Sequence, residues 1–443
     1  MITYVAIVLT MTMAILSLRA ISQPGIAFAM MWSLYASEQI LQLGHPIFIR
    51  FGFLLNIGFT IVALAAVVNG IRRGAYQQFK LPPELWWCIG LFSVAICSYL
   101  WSIEPQTTLT YLKKSAPYVG AFLLIMPLCA ADEKQLRLAV NLTVYLGTFI
   151  LIGHSVGTYG RRSLVLISSA SGDIESNPLA VASYGGIVGI CSLFSVYGRK
   201  FSPMFAFKVA VFFLSAYVII KSASRGQLLA LVVVCFVWLP IIARATLKRS
   251  TVIAFIGSAI IAGIALYVVY QLKDSGRWRS GQIEMAQEGR MLMITSLLEY
   301  WYNSGFGAWL LGTGSSTSYD IVGFYPHNIP VEVLAEEGIF GFIMYTGFAF
   351  CVLLRSGRLM FSSNLNVETR INLGILLAVF CFEGILTLKQ GSMLGSTNWF
   401  AVGITIGWVT NSLIKQTKLT AQRKRQYQWH QAQMHFLHSQ GQN

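Results

Sequence analysis

Residues 226–243 read GQLLALVVVCFVWLPIIA, an apolar stretch bounded by Arg225 and Arg244 with no charged side chain between them. A helix rises about 1.5 Å per residue and the hydrocarbon core of a bilayer is about 30 Å thick, so this stretch has the length and polarity of a membrane-crossing helix. Comparable runs recur near 3–19, 25–42, 51–70, 84–101, 113–130, 136–153, 179–197, 205–221, 251–271, 331–354, 371–388 and 396–414. They predict an all-α polytopic membrane protein of about 12–13 transmembrane helices, because inside lipid each spanning segment must satisfy its own backbone hydrogen bonds.

Composition agrees. Charged residues make up 11% of the 443-residue chain and hydrophobic residues 55%, with a mean hydropathy of +0.63, whereas a soluble domain carries about 25% charge. The run Tyr4 to Leu18 has no basic region before it and no small-residue cleavage site after it, so it reads as a retained helix. The seven cysteines all fall in or beside apolar runs and form no CxxC pair, which makes them packing residues. A net charge of +15 raises nucleic acid as a partner, but the basic residues are scattered over short loops and form no face with interleaved aromatics.

Topology explains that charge. Alternate loops collect Arg72, Arg73, Arg137, Arg199, Lys200, Arg244, Lys248, Arg249, Arg355, Arg358, Arg370, Lys415 and Lys418, marking the cytoplasmic side by the positive-inside rule. The sequence therefore predicts one membrane domain over 1–414 with a long external loop at 272–330, then a basic, Gln- and His-rich cytoplasmic tail over 415–443 without regular structure. His430, His435 and His438 in that tail fit no structured metal site.

The external segment is too long for a bare connection, and long ordered loops carry function. Met291, Ile294, Leu297, Leu298 and Trp301 recur at helical spacing, which predicts an amphipathic helix over Glu288–Trp301 with Arg290 at its start. A second polar loop, 154–178, holds Arg161 and Arg162. Aromatics in the long loop, among them Trp278, Trp301, Trp309, Tyr319 and Tyr325, suit sugar stacking and an interfacial belt equally.

Arg225 opens a helix in Ser222-Ala223-Ser224-Arg225-Gly226, and both helix N-termini and guanidinium groups favour phosphate oxygens. The plainer reading is an arginine snorkelling to the interface. His327, the one histidine of the long loop, precedes an apolar helix; it suits a general base or a hydrogen-bonded structural residue. No DxD pair, HExxH, GxSxG or P-loop pattern occurs in a loop.

In this order, Trp101-Ser102-Ile103-Glu104-Pro105, Asn177-Pro178-Leu179-Ala180, Ser224-Arg225-Gly226, Gly289-Arg290, Leu311-Gly312-Thr313-Gly314 and His327-Asn328 with Glu336, Gly338 and Gly341 resemble the O-antigen ligase and polysaccharide polymerase superfamily over about residues 85–405. The resemblance implies a GT-C-like glycosyltransferase of the bacterial inner membrane. Its donor is a glycan on undecaprenyl diphosphate, its acceptor a glycan hydroxyl or lipid A-core, and its site is periplasmic, without cofactor or essential metal. It further implies a flippase and a chain-length regulator as partners beside the membrane lipids, and no nucleic acid.

Carried to this sequence, the resemblance makes Arg225 and Arg290 the residues that meet the diphosphate and His327 the one that activates the acceptor hydroxyl, with inversion at the anomeric carbon. Arg161, Arg162, Asn328, Ser224 and Trp301 are expected to contact substrate. The odd helix count departs from the even number the family leads one to expect. Two enzyme readings remain, a polymerase of lipid-linked repeat units, favoured by the Trp101-to-Pro105 piece and the compact size, and a ligase onto lipid A-core. A transporter or flippase would use mid-span ionisable groups, for which Glu38 and Glu383 are the candidates.

Overall fold

The computed structural model describes residues 2–76, 80–157, 178–196, 202–246, 251–272, 280–362 and 365–440, and every regular element among them is helical. Nine of these helices are long and apolar enough to cross a membrane: α1 (Ile2–Ala20), α5 (Phe53–Arg72), α6 (Pro83–Cys97, extended by a turn to Leu100), α9 (Glu133–Gly157), α10 (Pro178–Ser195), α11 (Pro203–Lys221), α12 (Arg225–Thr246), α18 (Gly338–Met360) and α19 (Val367–Thr387). Four other runs complete the bundle. They are α2 (Pro24–Trp32) with α3 (Leu34–Gly44), α7 (Pro105–Val119) with α8 (Met126–Cys129), α13 (Thr251–Leu272) and α20 (Thr397–Gln440); α4 (Pro46–Arg50) is a single short turn. The all-α polytopic architecture read from the sequence is the one found.

The runs alternate between two ends. At one end Asn69 donates to the Ile21 carbonyl at 2.6 Å, the Gly25 N–H to Gln135 Oε1 at 2.9 Å, and Asn411 to the Lys80 carbonyl at 2.9 Å. Arg137 pairs with Glu368 at 2.8 Å there, and Arg355 meets the fully buried Glu84. At the other end Ile2 packs on Gly157, and Lys221 turns into Arg225. Among the described residues, Ile2 thus lies at one end of the bundle and Asn411 at the other.

α10 and α19 are innermost, with 72% and 78% of their apolar windows buried against 17% for α1. Gly186 lets them touch, since a β-carbon there would lie 2.1 Å from Phe382 Cζ; small residues permit such close approach where lipid gives helices no hydrophobic reason to associate.

Three runs expected as continuous helices are interrupted. The 25–42 run breaks at Ser33, whose hydroxyl turns back onto the Met30 carbonyl at 2.8 Å. The 113–130 run begins earlier, at Pro105, and loosens after Pro117 into a π turn over Gly120–Ile125, because proline lacks the N–H that would continue the ladder. The 331–354 run splits at Glu337, with Gly338 at φ +68 separating α17 (Ile329–Glu336) from α18. Irregular backbone at membrane depth persists only where protein or a cavity covers it.

Two further corrections concern polar segments. The amphipathic helix is longer than its apolar spacing indicated: α14 spans Ser280–Asn303, so Arg290 lies in its third turn and not at its start. It is followed by α15 (Phe306–Leu311) and α16 (Ser318–Val322). The tail expected to lack regular structure continues α20 to Gln440. Its Gln, Lys and Arg are good helix formers, and the preceding pass supplies the nucleus that an isolated tail would have to form.

Candidate functional site

α11 and α12 are joined through Ser222-Ala223-Ser224, and Ala223 takes φ +53, a left-handed conformation that costs a residue with a β-carbon of order 1 kcal/mol or more. This tight corner brings Arg225 in as the first residue of α12, and a helix start favours phosphate oxygens. Ser224 is buried, its hydroxyl 3.4 Å from the Ser222 carbonyl, so it shapes the corner.

Lys389 reaches the same place from the end of α19. Its chain lies over the next residue after Arg225: a β-carbon built on Gly226 would be 1.3 Å from Lys389 Nζ. The adjacent pair is tied as well, Gln227 donating to Gln390 at 2.7 Å. The absence of a side chain at Gly226 is thus what gives the ammonium its seat beside Arg225.

His327 sits in the loop before α17 at φ +56, again in the region a non-glycine residue enters only under constraint. Its ring lies 4.5 Å from that of Tyr325 and 5.4 Å from that of Phe324. Asn328 then caps α17, accepting from the Val331 N–H at 3.2 Å, while its amide donates to the Leu388 carbonyl at 3.2 Å. That last bond ties the imidazole loop to the residue preceding Lys389.

Arg290 arrives on α14, which packs across α16 and α17. Its charge is felt by both groups already described. Partial burial lowers the His327 pKa below its usual 6.5, and Arg290 lowers it further. Burial brings the Lys389 ammonium down to about 8, aided by Arg290 and then Arg225. Arg290 thus acts on both His327 and Lys389, and Lys389 lies beside Arg225, so this end of the bundle combines cationic side chains with an imidazole biased toward its neutral form, a combination that suits a polyanion and a base.

Behind it, three sequence pieces lock together. Trp101 Nε1 donates to the Leu311 carbonyl at 3.1 Å and the Ile103 N–H to the Thr313 carbonyl at 3.1 Å. The Thr313 and Gly314 N–H groups donate to the Ala335 and Glu336 carbonyls, at 2.9 and 3.0 Å. The Glu336 carboxylate accepts from the Ser316 and Ser318 N–H groups at 2.5 and 2.9 Å. Gly312, at φ +79, admits no side chain, since a β-carbon would lie 2.0 Å from the Glu336 carbonyl oxygen. These contacts brace the end of α17 whose start presents His327.

Of the residues expected to bear on substrate, Arg225, Arg290 and His327 converge. Asn328 and Ser224 are there as supports. Trp301 is not: it lies about 16 Å along α14 from Arg290 at a helix's rise per residue, and its indole donates to the Ala308 carbonyl at 2.9 Å, bracing α15. Arg161 and Arg162 lie outside the described residues. Lys389 is a site residue that sequence reasoning missed, although its position directly after the apolar run 371–388 was a readable signal.

One of two cavities borders the cluster at His327, and the second shares Tyr35 and Gly395 with the first. The first, of about 230 Å³, runs from His327 and Tyr325 down between Trp32, Tyr35, Ser183 and Glu383. The other, of about 250 Å³, is lined by Tyr35, Tyr111, Lys114, Tyr118 and Tyr319, with the Tyr111 and Tyr319 rings stacked at 4.2 Å.

No curated protein matches the chain. A family model described as O-antigen ligase matches residues 210–346, so the stretch that contributes Arg225, Arg290 and His327 is similar to that family.

Proposed function

We propose that the chain is a polymerase that joins undecaprenyl-diphosphate-linked oligosaccharide units into a surface polysaccharide or exopolysaccharide at the periplasmic face of a bacterial inner membrane. The observation that carries this reading is the gathering of Arg225, Arg290 and Lys389 about His327 at one end of the bundle. The opposite end bears Arg72, Arg137, Arg355 and Arg370, which supports reading it as cytoplasmic.

In this mechanism the three cations hold the diphosphate of the donor lipid. The acceptor hydroxyl oxygen attacks the anomeric carbon from the face opposite the diphosphate, and His327 takes the hydroxyl proton. The bond from the anomeric carbon to the diphosphate oxygen breaks, and its electron pair leaves with the lipid diphosphate, where fixed positive charge meets the developing negative charge. One glycosidic bond forms, one glycosyl–phosphate bond breaks, and the configuration inverts.

The purified full chain in detergent, given lipid-linked oligosaccharide and no membrane gradient, should lengthen the glycan. Arg290→Ala and His327→Ala should stop elongation while leaving the protein in the membrane; normal polymer from both variants would end the assignment. Supplying lipid A-core as the alternative acceptor separates the ligase reading from the polymerase, and transport without bond formation would favour a flippase.

A further inference from the structure

The wall of the first cavity contains polar atoms that nothing in the protein satisfies. Glu383 is 9% exposed and Trp32 2% exposed, yet Glu383 Oε1, Trp32 Nε1 and Asn398 Oδ1 have no hydrogen-bond partner, and all three residues line the same space. Buried polar atoms are nearly always paired, and each one left unpaired costs roughly 1–3 kcal/mol. Two oxygens and one N–H donor on residues that line one space suit vicinal hydroxyl groups, which both donate and accept. The aromatic rings of Trp32, Tyr35 and Tyr325 in the same wall offer faces to C–H surfaces.

The junction of α2 and α3 borders this space. Ser33 interrupts the run, and Trp32, Tyr35 and Ala36 on either side of it all border the cavity. At about 230 Å³ it is smaller than the roughly 300–1,000 Å³ of sites for drug-sized ligands, a fit for one ring and not for an oligosaccharide.

Location identifies which ring. His327 borders the cavity, whereas Arg225, Arg290 and Lys389 do not. A base must reach the hydroxyl that it deprotonates, within about 3 Å or through one water. The diphosphate-bound donor belongs with the cations, so the ring held here carries the attacking hydroxyl. We infer that the cavity walled by Trp32, Glu383 and Asn398 is the subsite for the terminal sugar of the acceptor glycan. This identity of the ring rests on the glycosyl-transfer reading of the His327 site; the capacity to bind a neutral sugar does not.

The test is saturation-transfer NMR on the full chain in a detergent without a sugar headgroup, with a panel of methyl hexosides and methyl N-acetylhexosaminides as probes. At least one should receive saturation from the wild-type protein and from Arg290→Ala, whose cation lies outside the cavity. Its binding should weaken roughly tenfold in Glu383→Gln, which exchanges one carboxyl oxygen for an NH₂ at the same size, and in Trp32→Phe, which removes the indole N–H with part of the ring. Wild-type protein that binds no glycoside, or equal binding in both variants, overturns the subsite. If Arg290→Ala still makes polymer while sugar binding behaves as expected, the transfer reading fails and the sugar site stands.

Discussion

The ammonium of Lys389 lies over Gly226 so closely that a methyl group on that glycine would occupy its place, 1.3 Å from Nζ. The obstacle is the far end of a flexible side chain, so Gly226→Ala should leave the helix intact while driving Lys389 away from Arg225. Membrane levels of the variant are expected to be normal and elongation at least tenfold slower, matching Lys389→Ala. Wild-type rates from Gly226→Ala would show that Lys389 has no part in the reaction.

Acidity should shape the rate from both sides. His327 works as a base only when neutral, and its pKa is lowered from 6.5, so kcat/KM should rise as pH increases through a value below 6.5. Lys389 loses its proton near pH 8; above that, one cation disappears and donor affinity should fall. Because diphosphate favours the charged ammonium, donor binding should take up a proton around and above pH 8. Lys389→Arg should extend the alkaline limb, and a profile unchanged in that variant would assign the limb to another group.

Arg225→Lys and Arg290→Lys keep the charge and lose the planar fork that meets two phosphate oxygens at once. Each should reduce kcat/KM roughly ten- to hundredfold. Full activity in either lysine variant would reduce that residue's role to background electrostatics.

Glu336→Gln tests the brace behind the site. The carboxylate accepts two N–H groups, whereas an amide must turn its own NH₂ toward one of them, a loss of about 1–3 kcal/mol. Lower thermal stability with a proportionate loss of polymer is expected, read by a melting curve in detergent. Gly312→Ala should be worse, because its β-carbon would run into backbone.

Elongation should persist in a chelator, since the three cations supply the charge stabilisation assigned to the donor diphosphate. Activity that vanishes with EDTA and returns with a divalent ion would overturn that division of labour.

Much of this was legible in the chain itself. The apolar run 226–243 and its counterparts are local features, and all of them became helices because lipid leaves backbone no other solution. The break at Ser33 was not legible, since it lies among apolar residues, whereas the one at Glu337 had a local signal in Glu336-Glu337-Gly338 that the surrounding apolar run masked. Arg225 and His327 stood out as charged or titratable residues beside helix starts. Lys389 did not, because its role arises from the proximity of α19 to α12, more than 160 residues earlier in the chain. Trp301 looked like a sugar platform by type and loop; its indole N–H turns inward to hold a carbonyl. Glu383 was noticed only as a mid-span charge, and its meaning depends on a cavity that no spacing rule could reveal.

The amide of Asn328 holds the loop of the proton acceptor to the carbonyl just before Lys389. Nucleophile activation and leaving-group support are thereby mounted on one strut, whose length is independent of whatever glycan extends beyond the first ring. On the proposed polymerase reading, a centre built to such a fixed gauge would treat the second addition and the hundredth alike, and any limit on polymer length would have to be imposed from elsewhere.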